Sequence, residues 1–471
     1  MSAPESRSPA PAPSRAGFIA WLVMAFVVVI VATAFFVAWA TRQALTEGGR
    51  LSDNQKQVFL FLSEFTTLLR NAAAQVGTEA PRWLVGDRKS LETPAWKRSF
   101  PAAEDPGYLL LSGVDPVVHH TTVRLLRVAD GKEVARWDPD WTAIYDRTTP
   151  KRWVVKGTPK MGRAYHPLLL PDGDIVFNTT HALVRMRPCV PQPVWLVDVR
   201  AHHSVELDSD GTIWSPSDIP ATTGQAGNEW LRERARGDSL GHFSADGRLL
   251  ENLSFASILE DSGLGALVLG TSGSRVQLDP LHLNEIKPAF SDGRYWKKGD
   301  LLVSSRHLSA LFLYRPSTGR VIWHRIGPWL NQHSPEFLDD HRISVFDNNV
   351  YGGAPSDRAF LRKGDFNRVL VYDFSTDSVT EPFKELLTAA QPLTHTGGRA
   401  RILPDGGLFF EETNMGRHLR FTKDRLLWSR VNDYDPKTIG FVFWSRYLTP
   451  DEAAAPLKAL AARTCAPKAG S

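Results

Sequence analysis

The chain has 471 residues, 42% of them hydrophobic and 23% charged, which is ample for a large apolar core. Its 55 basic and 51 acidic residues leave a formal net charge of +4, too small to argue for nucleic acid, and no basic cluster carries interleaved aromatics. The 15 tryptophans suit a β-protein that sets one large aromatic in each repeated unit.

Residues 1–17 are rich in Pro, Ser and Ala and read as a disordered cytoplasmic tail. Phe18 to Ala40 is uncharged, almost wholly apolar and long enough to cross a bilayer as a helix. Ala38-Trp39-Ala40 has the small-x-small form of a signal cleavage site, but the apolar run exceeds the roughly 7–15 residues of a signal core. The reading is therefore an uncleaved single-pass anchor, with the short N-terminus inside and the rest of the chain outside. Residues 41–106 form a juxtamembrane helix and linker. Val58, Phe61, Leu62, Phe65, Leu68, Leu69 and Ala72 fall on one helical stripe. That stripe suits a stalk packed on the following domain, or a coiled coil pairing two protomers as a homodimer.

From 107 to 445 one phrase recurs: a histidine, a short strand, a tight turn and a second strand. His166 precedes Leu168-Leu169-Leu170-Pro171-Asp172-Gly173, and His203 precedes Val205-Glu206-Leu207-Asp208-Ser209-Asp210-Gly211. His333 and His395 stand before similar runs, the latter ending on Pro404-Asp405-Gly406. Asp-Gly between apolar runs signals a hairpin, because Gly accepts the positive φ of the turn. Units fall near 107–140, 166–198, 203–253, 279–325, 332–382 and 394–430. Their spacing predicts an all-β, six-bladed β-propeller with insertions around 215–240 and 350–367. Histidines at one phase of such a repeat would be presented to one axis, although a single strand histidine is most often a hydrogen-bonded structural residue. Thr449-Pro450 opens a C-terminal helix within 446–471, with Thr449 as N-cap. Cys189 and Cys465, the only cysteines, suffice for one disulfide in an extracytoplasmic domain. No Cys/His spacing of the metal-binding kind is present, so no metal is expected.

The stretch from Asp279 to Asn349 holds His282, Asn284, Arg306 and His333 on neighbouring strand-like segments. Imidazole is a nucleophile and base near neutral pH, and a guanidinium fork matches a tetrahedral oxyanion. Such a set suits transfer of a sulfate- or phosphate-like group. It suits glycoside hydrolysis poorly, since that needs two flanking carboxylates. No glycine-rich phosphate loop is present, which disfavours nucleotide-dependent transfer.

Four segments resemble the bacterial arylsulfate sulfotransferases, six-bladed propellers of the periplasm. They are Ala201-His202-His203-Ser204-Val205-Glu206-Leu207-Asp208, Asp279-Pro280-Leu281-His282-Leu283-Asn284, Gly299 to Arg306, and Gln332-His333 followed by Val345-Phe346-Asp347-Asn348. They occur in the family's order and span roughly 160–430. The resemblance implies transfer of a sulfuryl group from an aryl sulfate donor to a phenolic acceptor, through a sulfo-histidine and without a cofactor. It implies His333 as nucleophile, with His203, His282, Asn284 and Arg306 gripping the sulfuryl oxygens. His166, His395, Thr394 and Thr396 are weaker substrate contacts. Its periplasmic setting, taken with the anchor, implies a bacterial inner-membrane protein whose catalytic domain faces the periplasm. The anchor and helical stalk depart from the soluble, signal-cleaved members of that family with their β-rich N-terminal domain. They motivate two alternatives: a non-catalytic envelope scaffold or ligand-binding module, and, prompted by the tryptophan content, a propeller that binds a redox cofactor such as a quinone.

Overall fold

The computed structural model describes residues 15–45, 83–85, 99–148, 162–218, 237–269, 279–350 and 366–463. The chain divides into two compact units, Met1–Glu79 and Ala80–Ser471. In the first, the described residues form a helix over Arg15–Leu45, and its stretch Val23–Ala40 is long and apolar enough to cross a membrane. Its large side chains stand bare, Phe26 at 66% and Phe35 at 74% exposure. The expected stalk at 51–76 lies outside the described residues, as do most of both expected insertions (219–236 and 351–365).

The second unit holds six four-stranded antiparallel sheets, one for each predicted repeat. Five are built from consecutive strands, beginning at Tyr165–Leu169, Glu206–Leu207, Leu283–Pro288, His333–Phe337 and Arg399–Ile402. The first strands of successive sheets touch one another, so they are the innermost and line the axis. The remaining sheet joins the two ends of the ring. Its outer strands are Tyr108–Asp115, His120–Arg127 and Glu133–Trp137, and its innermost strand is Arg446–Leu448 from the far end of the chain. The Asp-Gly turns form as their chemistry dictates. Gly173, Gly211 and Gly406 take φ of 83°, 87° and 77°, and Asp172, Asp210 and Asp405 each accept a backbone N–H two residues on.

Apolar clusters fill the spaces between blades, with Trp137, Trp141, Trp329 and Trp428 among the largest fully buried side chains. A helix over Pro450–Ala461 follows ring closure. Thr449 and Glu452 form its reciprocal capping box, each side chain bonding the other's backbone N–H. Cys189 is disulfide-bonded, and Cys465, the chain's other cysteine, lies outside the described residues.

Candidate active site

The innermost strands are irregular where they begin. His166, His203 and His282 sit just before or at these strands with φ of 53°, 59° and 51°, in the left-handed region where non-glycine residues are uncommon. Register shifts follow between Tyr165 and Leu168, between Leu283 and Glu285, and between His333 and Glu336. A bulge adds a residue and re-aims the side chains beside it, and of these bulged blades those of His282 and His333 present their imidazoles at one mouth of the axis.

There a cavity of about 260 Å³ is lined by His203, His282, His333 and Arg306. The His203 ring centroid lies 5.0 Å from that of His282 and 6.5 Å from that of His333. One wall is aromatic: Tyr165, Phe441, Phe443 and Trp444. Trp444 lies 5.8 Å from His203 and 6.0 Å from His333, and it is held by its indole N–H on the Gly398 carbonyl at 2.9 Å. Arg163 stacks its guanidinium over Trp83 at 4.2 Å and donates to the Tyr165 hydroxyl.

His333 is 2% exposed, and its Nδ1 lies 2.6 Å from Asn348 Oδ1. The Asn348 amide nitrogen donates to the carbonyls of Thr394 and Gly397, at 3.2 and 2.8 Å, so its oxygen must be the atom that faces the ring. That oxygen can only accept. The proton therefore sits on Nδ1, and Nε2 carries the lone pair. Burial, then the positive charge of Arg306, holds His333 down to about 3, so the ring is neutral at ordinary pH. Burial also lowers Arg306 to about 10, against the opposing pull of Asp279, and the guanidinium stays charged. His282 donates Nδ1–H to Asp279 Oδ2 at 2.6 Å, and its ring stacks on His307 at 4.3 Å.

Of the other predicted residues only Thr396 lines this cavity. Asn284 is 3% exposed behind the cavity, and its amide donates to the Gln332 carbonyl at 2.6 Å, fixing the peptide that carries His333. Thr394 is fully buried with its hydroxyl donating to the Thr396 carbonyl at 2.9 Å, while Thr396 itself reaches the cavity. His395 is half-buried off the cavity, and burial lowers its pKa. His166 lies farther along the axis in a buried ionic cluster. Arg399 meets its Nε2 and Arg446 its Nδ1, both at 2.8 Å, with Glu206 and Glu285 beside them.

Sequence reasoning missed Asn348 as a partner, Asp279, His307 and the aromatic wall. Asp279 and Asn348 stood inside quoted segments, and their proximity to histidines in sequence was a usable signal. Trp444 had none, since it precedes the closing strand, where the repeat has no histidine.

Among the described residues, two of the groups that could by donor type hold a cation contain histidines predicted for the site. His166 with Glu206 and Glu285 is flanked by Arg399, Arg446 and Lys287, which repel one. In Asp279, His282 and His307, the last ring's Nδ1 is already 2.6 Å from the Asp279 carbonyl oxygen.

Among solved structures the chain is similar to a protein of unknown function from Bacteroides caccae (10% identity, 73% of this chain and 99% of that one, TM-score 0.43). It is also similar to the hydrazine synthase of Kuenenia stuttgartiensis (10% identity, 71% and 80%, TM-score 0.36). A third is virginiamycin B lyase from Staphylococcus aureus (11% identity, 70% and 85%, TM-score 0.34). None of the three bears on the chemistry of this site. No curated protein matches the chain. The profile of the arylsulfotransferase (ASST) family matches residues 166–432, which is more than half of the sequence and holds His203, His282, Arg306 and His333, and the chain belongs to that family.

Proposed function

We propose that the protein is a membrane-anchored arylsulfate sulfotransferase whose nucleophile is Nε2 of His333. The observation that carries this reading is the Asn348 contact, which leaves an unprotonated nitrogen on a neutral, buried ring beside a cationic guanidinium. An aryl sulfate enters with its ring against Trp444 and Phe443 and its sulfuryl oxygens toward Arg306 and His203. Nε2 attacks sulfur as the bond to the phenolic oxygen breaks, giving sulfo-histidine and a phenolate. The ring becomes cationic in this step, and Asn348 Oδ1 stabilises that charge through Nδ1–H. His282, oriented by Asp279, gives the leaving oxygen its proton. It takes one back from the acceptor phenol, whose oxygen then displaces His333 from sulfur. Asn284 acts through the Gln332 peptide, as a positioning residue. The helix Arg15–Leu45 anchors the protein in a bacterial inner membrane, with the propeller in the periplasm. Cys189 in a disulfide supports an oxidising compartment.

The test uses the full chain in detergent with 4-nitrophenyl sulfate, with and without phenol. Expected are phenol-dependent nitrophenolate release and an intact-mass increase of one sulfuryl group, both lost in His333→Ala. Wild-type release by that variant would remove the nucleophile from this scheme.

A further inference from the structure

Among the described residues two guanidiniums line the cavity, and the transfer scheme uses only Arg306. The other, Arg163, stands beyond Tyr165 on the aromatic wall. The steps along that wall are short. The Trp444 ring lies 6.0 Å from that of His333 and 5.0 Å from that of Tyr165, and the Arg163 guanidinium lies 4.8 Å from the Tyr165 ring.

Arg163 is positioned by fixed backbone on both sides. The carbonyls of Gly162 and Ala164 accept from Thr121 Oγ1 at 2.7 Å and Ser112 Oγ at 2.5 Å, hydroxyls of the neighbouring blade. Gly162 packs so closely on Trp141 that a Cβ there would lie 2.3 Å from the indole. Trp83, which the guanidinium overlies, is tied to the wall by the Phe441 N–H on its carbonyl at 3.0 Å.

The protein nevertheless leaves this cation short of acceptors. A guanidinium carries five N–H donors in a planar fork. Among the described residues the half-buried Arg163 makes one side-chain hydrogen bond, to the Tyr165 hydroxyl, and no ion pair. That phenol is a neutral partner, since burial pushes its pKa up. Arg399 and Arg446 in the inner ring differ, each meeting a glutamate as well as a ring nitrogen. Asp279, the one carboxylate that lines the cavity among the described residues, sits with His282 at 2.6 Å. A half-buried guanidinium facing a cavity with only a neutral acceptor suits an anion that arrives with the ligand. At about 260 Å³ the cavity falls below the roughly 300–1,000 Å³ of pockets for drug-sized molecules, so the ligand is a single ring with a small arm.

We propose that the aryl substrates of this site carry a carboxylate on a short side arm, which Arg163 grips with its fork while the phenolic oxygen points at His333. The sulfuryl-transfer reading decides which end of the molecule reacts, and the proposal rests on it to that extent; the grip on a phenolic acid does not need it. Arg163 is then a specificity residue, touching the substrate far from sulfur and fixing which end enters first.

The experiment is calorimetric titration of the full chain in detergent with 3-(4-hydroxyphenyl)propionate and with its amide, two ligands of one shape that differ in charge. At low salt the acid should bind about 10-fold tighter than the amide. Arg163→Gln should remove that preference. Arg163→Lys should keep about threefold of it, because an ammonium holds the charge without the fork. Each ratio is taken on one protein sample, so partial misfolding of a variant does not change it. Equal affinities in the wild type overturn the proposal, and that arm needs no variant. So does a preference that survives in Arg163→Gln, which places the carboxylate on Arg306 instead. The same two compounds then serve as acceptors from 4-nitrophenyl sulfate, where the acid should show the lower KM. No nitrophenolate release with either, beside an intact binding preference, overturns sulfuryl transfer and not the Arg163 contact.

Discussion

The two halves of the channel carry the same kinds of side chain to opposite ends. At the mouth where the innermost strands begin, His203, His282 and His333 face a cavity with one guanidinium and an aromatic wall. Farther along the axis, His166 is locked among Arg399, Arg446, Glu206 and Glu285, with Lys287 bridging Glu206 and Glu336 at 3.0 and 2.8 Å. Each cation of this inner ring meets a carboxylate or carbonyl, and the ring cross-links strands from all six blades. The difference is one of satisfaction. Paired charges plug an axis, whereas a neutral imidazole with one nitrogen committed and one not can do chemistry.

The comparison breaks first at Arg306. Arg306→Gln should lower kcat/KM for an aryl sulfate by about 100- to 1,000-fold, as loss of an oxyanion donor does, with the melting temperature little changed. Steady-state rates beside a thermal melt check both. An equal loss of stability would place Arg306 with the structural ring instead. Asn348→Asp sharpens the reason for His333's neutrality. A carboxylate at Nδ1 raises the pKa of His333 from about 3 toward the ordinary 6.5, so more of the ring is protonated at pH 5. Activity at pH 5 relative to pH 8 should fall about 10-fold against wild type, read from a pH–rate profile.

Glu285 tests the inner ring. Burial, then the charge of Glu206, pushes its carboxyl up to about 8. The folded chain therefore keeps a proton that the unfolded chain has released above about 4.5, and this group's contribution to stability falls as pH rises from 4.5 to 8. Glu285→Gln is neutral throughout. It should gain on the order of 2 kcal/mol over wild type at pH 8–9 and nothing near pH 4, measured by denaturant melts at several pH values. The smallest effect belongs to His395→Ala, within about threefold of wild-type activity, because this histidine shares the repeat phase but not the cavity.

The sequence told more about strands than about neighbours. Asp-Gly turns at 172–173, 210–211 and 405–406 mark hairpins through local chemistry, so all six blades were legible. The cavity set His203, His282, Arg306 and His333 was legible as well, because each histidine stands at the start of an axial strand and Arg306 directly follows the neighbouring strand Leu301–Ser305. His166 shows the limit. Its phase matches that of His203, but its fate depends on Arg399 and Arg446, which are more than 230 residues away in the chain and meet it only when the ring closes. Asn284 was expected to face the oxyanion, yet the bulge between Leu283 and Glu285 turns it to the Gln332 carbonyl.

Ring closure also sets a timetable. Arg446–Leu448 is the innermost strand of a blade whose other strands span 108–137, and Trp444, two residues earlier, forms part of the cavity wall. As the chain leaves the ribosome, five sheets can pair before this strand emerges, but neither the aromatic wall nor the Arg446 side of the inner ring exists until it docks. The pocket can therefore form only after residue 448 has been made. A chain truncated near residue 440 would keep every cavity histidine and have no working pocket to put them in.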